Sequence, residues 1–351
     1  MKIVYSEEHR HHDPEHEFRR SENVPAFERA VRASVIETTL REKNFGTFIA
    51  PDEGGVPFTG VHDEAYLRFL RTVHARFQTE GSGQEPLPYC WPTTSRPRLP
   101  PQDLFGAIGF FAGDADTPIV AGTWKAAEAA ARGASTAARK VARGEARAAF
   151  ALTRPPGHHA SRSTYSGYCF LNNAALACAQ LQQEGFARVA LLDIDYHHGN
   201  GSQAIFEATS DVLFVSIHAD PDHAYPFYSG RADEVGHGEG RGFTVNLPLP
   251  PGTTWDPYRD ALLRACEAIA RFAPSALVVS IGLDIAVGDP LGTFELETDA
   301  FREIGALLRT LHLPTVFVLE GGYDIPTIGL NTFALLNSFA PDAQDDSPGA
   351  P

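Results

Sequence analysis

The chain has 351 residues, 43% of them hydrophobic, which is ample for a core and compatible with two domains or one large α/β domain. A formal charge of −15 excludes the basic face of a nucleic-acid binder and favours a soluble protein whose field attracts small cations. Cys90, Cys169, Cys178 and Cys266 stand apart with no C-x-x-C pair, which excludes a zinc knuckle and an obvious disulfide framework. No signal-peptide pattern and no apolar run of membrane-spanning length is seen, so a cytoplasmic enzyme without a membrane partner is expected.

In chain order, Lys2–Tyr5 reads as a buried strand. His9, His11, His12 and His16 follow among Glu7, Glu8, Arg10, Asp13 and Glu15, and read as a solvated loop. Thr47–Ala50 is the next strand. Thr79 to Pro101 carries six prolines together with Tyr89, Cys90 and Trp91. A loop this long in a compact domain is usually functional, and its aromatics suggest a surface for another subunit. Strands are expected at Ala148–Leu152, Arg188–Asp193, Val212–His218, Thr244–Leu247, Ala276–Ile281 and Thr315–Leu319. Helical faces lie between them. One carries Leu171, Ala174, Ala175, Cys178 and Leu181 and stops at Gly185. A second runs from Trp255 to Phe272 and stops at Pro274. A third carries Phe301, Ile304, Leu308 and Leu311, with Thr298 as its cap. Alternation of this kind implies an open, mostly parallel sheet covered by helices on both faces. Residues 1–340 are expected to form one catalytic domain, with an insert at 79–121 and a disordered acidic tail at 341–351.

Four strand ends carry chemistry. Period two puts Asp193, Asp195 and His197 on one face after the strand ending at Asp193. Asp284 follows Ile281, Tyr323 follows Leu319, and the pair His158-His159 follows the strand at Ala148. In a parallel sheet all four lie at the carboxyl edge, where ligands bind in open α/β folds. Asp195, His197 and Asp284 would give three ligands to one divalent cation and leave a position open, as catalytic zinc sites do. His158 or His159 could move a proton, and Tyr323, after two glycines that read as a flexible hinge, could donate to an oxyanion. Singly, an Asp-x-His, a loop His-His or a Gly-Gly-Tyr turn is weak; four at the same topological position are a pattern. The equipment is that of metal-assisted amide hydrolysis.

RPPGHHA (154–160), GYCFLNNAA (167–175), DIDYHHGNG (193–201), DIAVGDP (284–290) and LEGGY (319–323) resemble, in order, the signature blocks of the histone deacetylase superfamily. The insert before Trp124, Glu17 and the overall length are most similar to the bacterial acetylpolyamine amidohydrolases. The resemblance implies an arginase/deacetylase-like α/β fold and one catalytic Zn2+, with Fe2+ a rival, on Asp195, His197 and Asp284. It implies that His158 and His159 are the tandem histidines, that Asp193 orients His158, and that Tyr323 serves the oxyanion. Asn200 falls where many relatives have Asp, so His159 should be the less basic histidine and the better general base.

The same resemblance implies two K+ sites. The inner maps to Asp193, Asp195, His197, Ser216 and Ile217, and the outer to Phe206, Thr209, Val212 and Phe243. Tyr168 and Tyr225 would line an aromatic tunnel, Gly167 would offer its carbonyl, and the apolar Leu291 would sit at the rim. Ile285 and Ala286 depart from the polar residues common after the ligand Asp284. The expected substrate is a small cationic acetylated amine, an N-acetylated polyamine or diamine, with Glu17 and Asp116 receiving the far ammonium. A homodimer through the 79–121 insert would narrow the mouth. Competing readings are a deacetylase of acetyl-lysine peptides or another small acylamide, a metal-binding protein without turnover, and an arginase-type binuclear manganese enzyme. The last needs a second cluster of acids and histidines that the sequence does not place.

Overall fold

The computed structural model describes residues 1–81, 85–92 and 99–340. The expected tail, 341–351, lies outside the described residues, as does part of the 79–121 insert. The amino-terminal elements are β1 (Lys2–Val4), the hairpin β2 (His16–Arg19) and β3 (Glu22–Pro25), α1 (Val31–Glu42), β4 (Thr47–Ile49), α2 (Glu64–Glu80), α3 (Leu104–Phe111) and α4 (Thr123–Ala142). Then come β5 (Ala148–Ala151), α5 (Asn173–Gln183), β6 (Val189–Asp193), α6 (Asn200–Phe206), β7 (Val212–Ala219) and β8 (Thr244–Leu249). The chain continues through α7 (Trp255–Phe272), β9 (Ala276–Ile281), α8 (Thr298–Arg309), β10 (Thr315–Leu319) and α9 (Ile325–Phe339).

The main sheet runs β4-β1-β5-β10-β9-β6-β7-β8, and each of its pairings is parallel. Its strands are the eight read from the sequence, with ends shifted by a residue or two. Successive residues feed opposite faces. Leu277, Val279 and Ile281 join Phe317 and Leu319 in a core beneath helices that include α7, α8 and α9. Val278, Val316 and Val318 join the opposite core with α2 to α5. Burial on both faces explains why these strands read as continuous apolar runs.

Several expectations need correction. The hairpin β2–β3 was not foreseen, because its strands are short and polar. Its burial is carried by Glu17, which a period-two apolar pattern does not reveal. The histidine-rich segment is solvated only in part, with His11 and His16 exposed. Glu7–His11 form a 3-10 turn, and His9 and His12 are buried at 2% and 1% exposure. His9 meets the Tyr5 hydroxyl at 3.1 Å and His12 meets that of Thr123 at 3.0 Å. Burial beside Arg154 pushes both imidazoles down, to about 4 and about 3, so they are neutral fillers. Thr298 is the first residue of α8, with Glu297 preceding it, and its hydroxyl donates to Asn331 rather than capping the helix. The proline-rich segment begins two residues later than Thr79, since α2 continues to Glu80. Tyr89, Trp91 and Leu99 are exposed, and the Cys90 carbonyl lies so close to α3 that only glycine fits at Gly109. No helix among the described residues is long and apolar enough to cross a membrane.

Candidate active site

β5, β10, β9 and β6 are consecutive in the sheet, so the four chemistry-bearing loops leave neighbouring strand ends. Their ligand atoms converge. One oxygen each of Asp195 and Asp284 and one nitrogen of His197 lie within 4.8 Å of one another. His197 Nδ1 is 3.1 Å from Asp284 Oδ2 and 3.3 Å from Asp195 Oδ1. Backbone amides fix the carboxylates. Gly321 N–H donates to Asp195 at 2.8 Å, and Tyr196 N–H to Asp284 at 3.0 Å. Any Cβ at Gly282 would collide with Asp195, and one at Gly321 would press on Asp195 and Asp284.

This donor set fits a divalent cation. Burial and Asp195 push the Asp284 carboxyl up to about 7. Burial alone would lower His197, but Asp195 and Asp284 raise it to about 9. Two buried carboxylates and an imidazole, aimed at one another, are a chelating set. A second group, His158, Cys169 and Glu320, also gathers within 4.8 Å. Its donors are already engaged. Glu320 accepts from the amides of Gly157 and His158 at 2.6 and 3.1 Å and from Ser280 at 3.0 Å. His158 faces Asp193, and the Cys169 thiol donates to the Gly167 carbonyl. The binuclear arrangement therefore gains no support among the described residues.

The tandem histidines are buried rather than loop-exposed. His158 Nδ1 is 3.0 Å from Asp193 Oδ2, and His159 Nδ1 is 2.6 Å from Asn200 Oδ1. Burial disfavours both imidazolium ions. For His158 the charges of Asp195 and Asp193 outweigh burial and lift it to about 10. For His159 burial is reinforced by His158 and His197, and it lies well below the ordinary histidine value. An amide oxygen orients His159 without supplying the counter-charge that Asp193 gives its neighbour.

These groups open onto a cavity of about 260 Å3 walled by Tyr168, Tyr225, Phe227, Leu291 and Tyr323. Gly167 and Tyr168 have φ of 53° and 66° and form a tight turn closed by Ser166 and Cys169. A Cβ at Gly167 would strike the His159 ring. Positive φ at a tyrosine is strained, and the turn sets Tyr168 edge-on to Tyr323 with centroids 5.9 Å apart. Asp114, unremarked in the sequence, secures this wall. It accepts from Gly167 N–H at 2.6 Å, Tyr225 at 2.8 Å and Thr117 at 2.8 Å.

Arg32 and Glu28 were also missed. Arg32 donates to the carbonyls of Gly322 and Glu320, both at 2.6 Å, and lies 4.6 Å from the Tyr323 ring centroid. Glu28 lies buried between Arg32 and Arg154, 2.8 Å from each. The Gly-Gly hinge is thus pinned from below, not flexible. Nothing in the spacing of Arg32 announces a contact with a loop some 290 residues away.

One substrate expectation changes. Glu17 does not reach the cavity: it is 1% exposed, accepts from Tyr168 at 2.8 Å and from Phe27 N–H at 3.2 Å, and supports the wall from behind. Asp116 does line the cavity. For the implied inner monovalent site, Asp193 pairs with Ser216 in the β6–β7 register, with Ile217 next along β7. For the outer, Phe206 closes α6 and its carbonyl accepts from Thr209 N–H, Val212 opens β7, and the Phe243 carbonyl accepts from Phe214 N–H.

A mostly parallel eight-stranded α/β sheet with a chelating triad, paired histidines and a tyrosine at its carboxyl edge defines a metal-dependent deacetylase class of protein. The family model described as "Histone deacetylase domain" matches residues 27–338, and the chain belongs to that family. It is 43% identical over 342 residues to acetylpolyamine amidohydrolase 1 of Pseudomonas aeruginosa, covering 97% of this chain and 99% of that protein. To the acetylpolyamine amidohydrolase of Mycoplana ramosa it is 39% identical over 342 residues, covering 97% and 100%. The crystal structure of an acetylpolyamine aminohydrolase from Burkholderia pseudomallei superposes with a TM-score of 0.92 at 38% identity, covering 97% of this chain and 98% of that one.

Proposed function

We propose that this protein hydrolyses the N-acetyl group of small acetylated amines, polyamines or short diamines, using one divalent cation held by Asp195, His197 and Asp284. The observation that carries this is the convergence of those three ligands beside His159 and Tyr323 at one narrow aromatic cavity. Near full-length similarity to enzymes named for acetylpolyamines supports the substrate class.

The bound cation, Zn2+ on this donor set with Fe2+ as the rival, supplies polarisation of the acetyl carbonyl and acidification of water. His159, neutral and oriented by Asn200, takes the proton of the attacking water and returns it to the leaving amine. His158, paired with Asp193, holds positive charge beside the site. Tyr323 lies under strong burial, which keeps its phenol protonated, and donates to the oxygen that becomes negative. Tyr168 and Tyr225 exclude water from a slender alkyl chain, and Gly167 offers its carbonyl.

In the same reading K+ occupies the sites mapped above, and residues 1–340 act as one catalytic domain. Exposed Tyr89, Trp91 and Leu99 on the 79–121 insert support a homodimer. Four free cysteines, one exposed, support a reducing cytoplasm.

The test is acetate release by metal-quantified enzyme from acetylputrescine, acetylcadaverine, acetylspermidine and an acetyl-lysine peptide. The small amines should lead; a lead by the peptide would reassign the substrate, and no release from any would refute the hydrolase. Asn200→Asp probes the base. A carboxylate against His159 Nδ1 raises its pKa by about 1 to 3 units. The acid limb of kcat/KM should move to higher pH by a similar amount, because the active form is the neutral imidazole. An unmoved limb would remove His159 from the role.

A further inference from the structure

The outer end of the cavity is framed by the β2–β3 hairpin. Pairing runs from His16↔Pro25 to Arg19↔Glu22, which leaves Arg20 and Ser21 as the turn. Both have positive φ, 50° and 69°. Two-residue turns of this kind favour Asn-Gly, because other side chains are strained there. Strain of this sort concentrates where the chain must aim a side chain at a ligand. Here it places Arg20 beside Arg19, and both line the cavity.

The charges at this mouth are divided. Arg19 is held against the wall, 5.6 Å from the Phe27 ring centroid, 3.4 Å from the Tyr168 hydroxyl and 3.7 Å from Glu17 Oε1. Arg20 is exposed. Among the acids, Asp114 is consumed by Gly167, Tyr225 and Thr117. Asp116 is the lining carboxylate left for a ligand. Burial and Asp114 push it up to about 6, while Arg19 and Arg20, which line the same cavity, pull the other way.

A bare ammonium entering this mouth is attracted by Asp116 and repelled by two guanidinium groups. An end that carries ammonium and carboxylate together satisfies both signs. The geometry points to a preference, among acetylated amines, for those whose far end is a free α-amino acid, with Asp116 receiving the ammonium and Arg20, backed by Arg19, the carboxylate. Free Nε-acetyl-lysine is of this class. In a peptide both groups become amides and the match is lost. This inference rests on the amidohydrolase reading and alters the far end of its substrate.

N-acetylcadaverine is Nε-acetyl-lysine without the carboxylate, so the two compounds isolate one group. The metal-loaded wild type should favour free Nε-acetyl-lysine in kcat/KM by roughly tenfold, the equivalent of about 1.4 kcal/mol. Arg20→Gln should erase that ratio, raising KM for acetyl-lysine and improving kcat/KM for acetylcadaverine. Arg20→Lys should keep a reduced preference. Turnover of acetylcadaverine with a ratio that Arg20→Gln leaves unmoved overturns this inference alone. Absence of turnover on both compounds overturns the amidohydrolase reading, and the inference with it.

Discussion

Tyr323→Phe should lower kcat by about 100- to 1,000-fold while the protein keeps its divalent cation. The loss corresponds to about 2.7–4 kcal/mol, the worth of one preorganised donor to an oxyanion. The variant removes one oxygen and nothing that holds the loop. The Tyr323 amide still donates to Asp289 at 2.6 Å, Gly322 still accepts from Arg32 at 2.6 Å, and the ring still meets Arg32 and Tyr168. Metal analysis beside single-turnover kinetics separates chemistry from folding. Activity within a few-fold of wild type would take the oxyanion role away from Tyr323.

Asp284→Asn should cost on the order of a thousandfold or more in activity, because the cation's contribution amounts to several kcal/mol. It should also abolish the rise in Tm that Zn2+ gives the wild type. The amide keeps an oxygen to accept from Tyr196 N–H, so local folding is preserved. The metal-free proteins add a pH signature. Asp284 is pushed up to about 7 by burial and by Asp195, so the folded state holds this proton more tightly than the unfolded chain. Its contribution is therefore present below the ordinary carboxyl range and is lost as pH rises through about 7. Without Zn2+, the wild type should lose Tm relative to the variant between about pH 4, the ordinary carboxyl range, and about pH 7, with no further loss above it. A constant difference, or an undiminished Zn2+ effect in the variant, would contradict the ligand assignment.

Strands and triad were legible for a common reason. A central parallel strand is buried on both faces, so it reads as an apolar run, and acids or histidines at its end stand out. β6 running into Asp193, Asp195 and His197 is the clearest case. Charged sequence neighbours mask the burial of His12, because the groups that cover it, Phe170 and Thr123, come from distant elements, while His9 meets the nearby Tyr5. Glu17 was placed at the mouth from its resemblance, but β2 turns it inward beneath Tyr168. Arg32, Asp114 and Glu320 act on backbone segments far along the chain, which no local spacing shows.

The sequence by itself determined the sheet, the family and the residues able to hold a metal, because strand burial and strand-end chemistry are written in adjacent residues. Only the tertiary structure decided how the tyrosine loop is pinned, which acid reaches the cavity, and that two arginines stand at its mouth. Those facts depend on contacts between segments far apart in sequence. Burial and electrostatic pairing there follow from packing, and no short pattern encodes them.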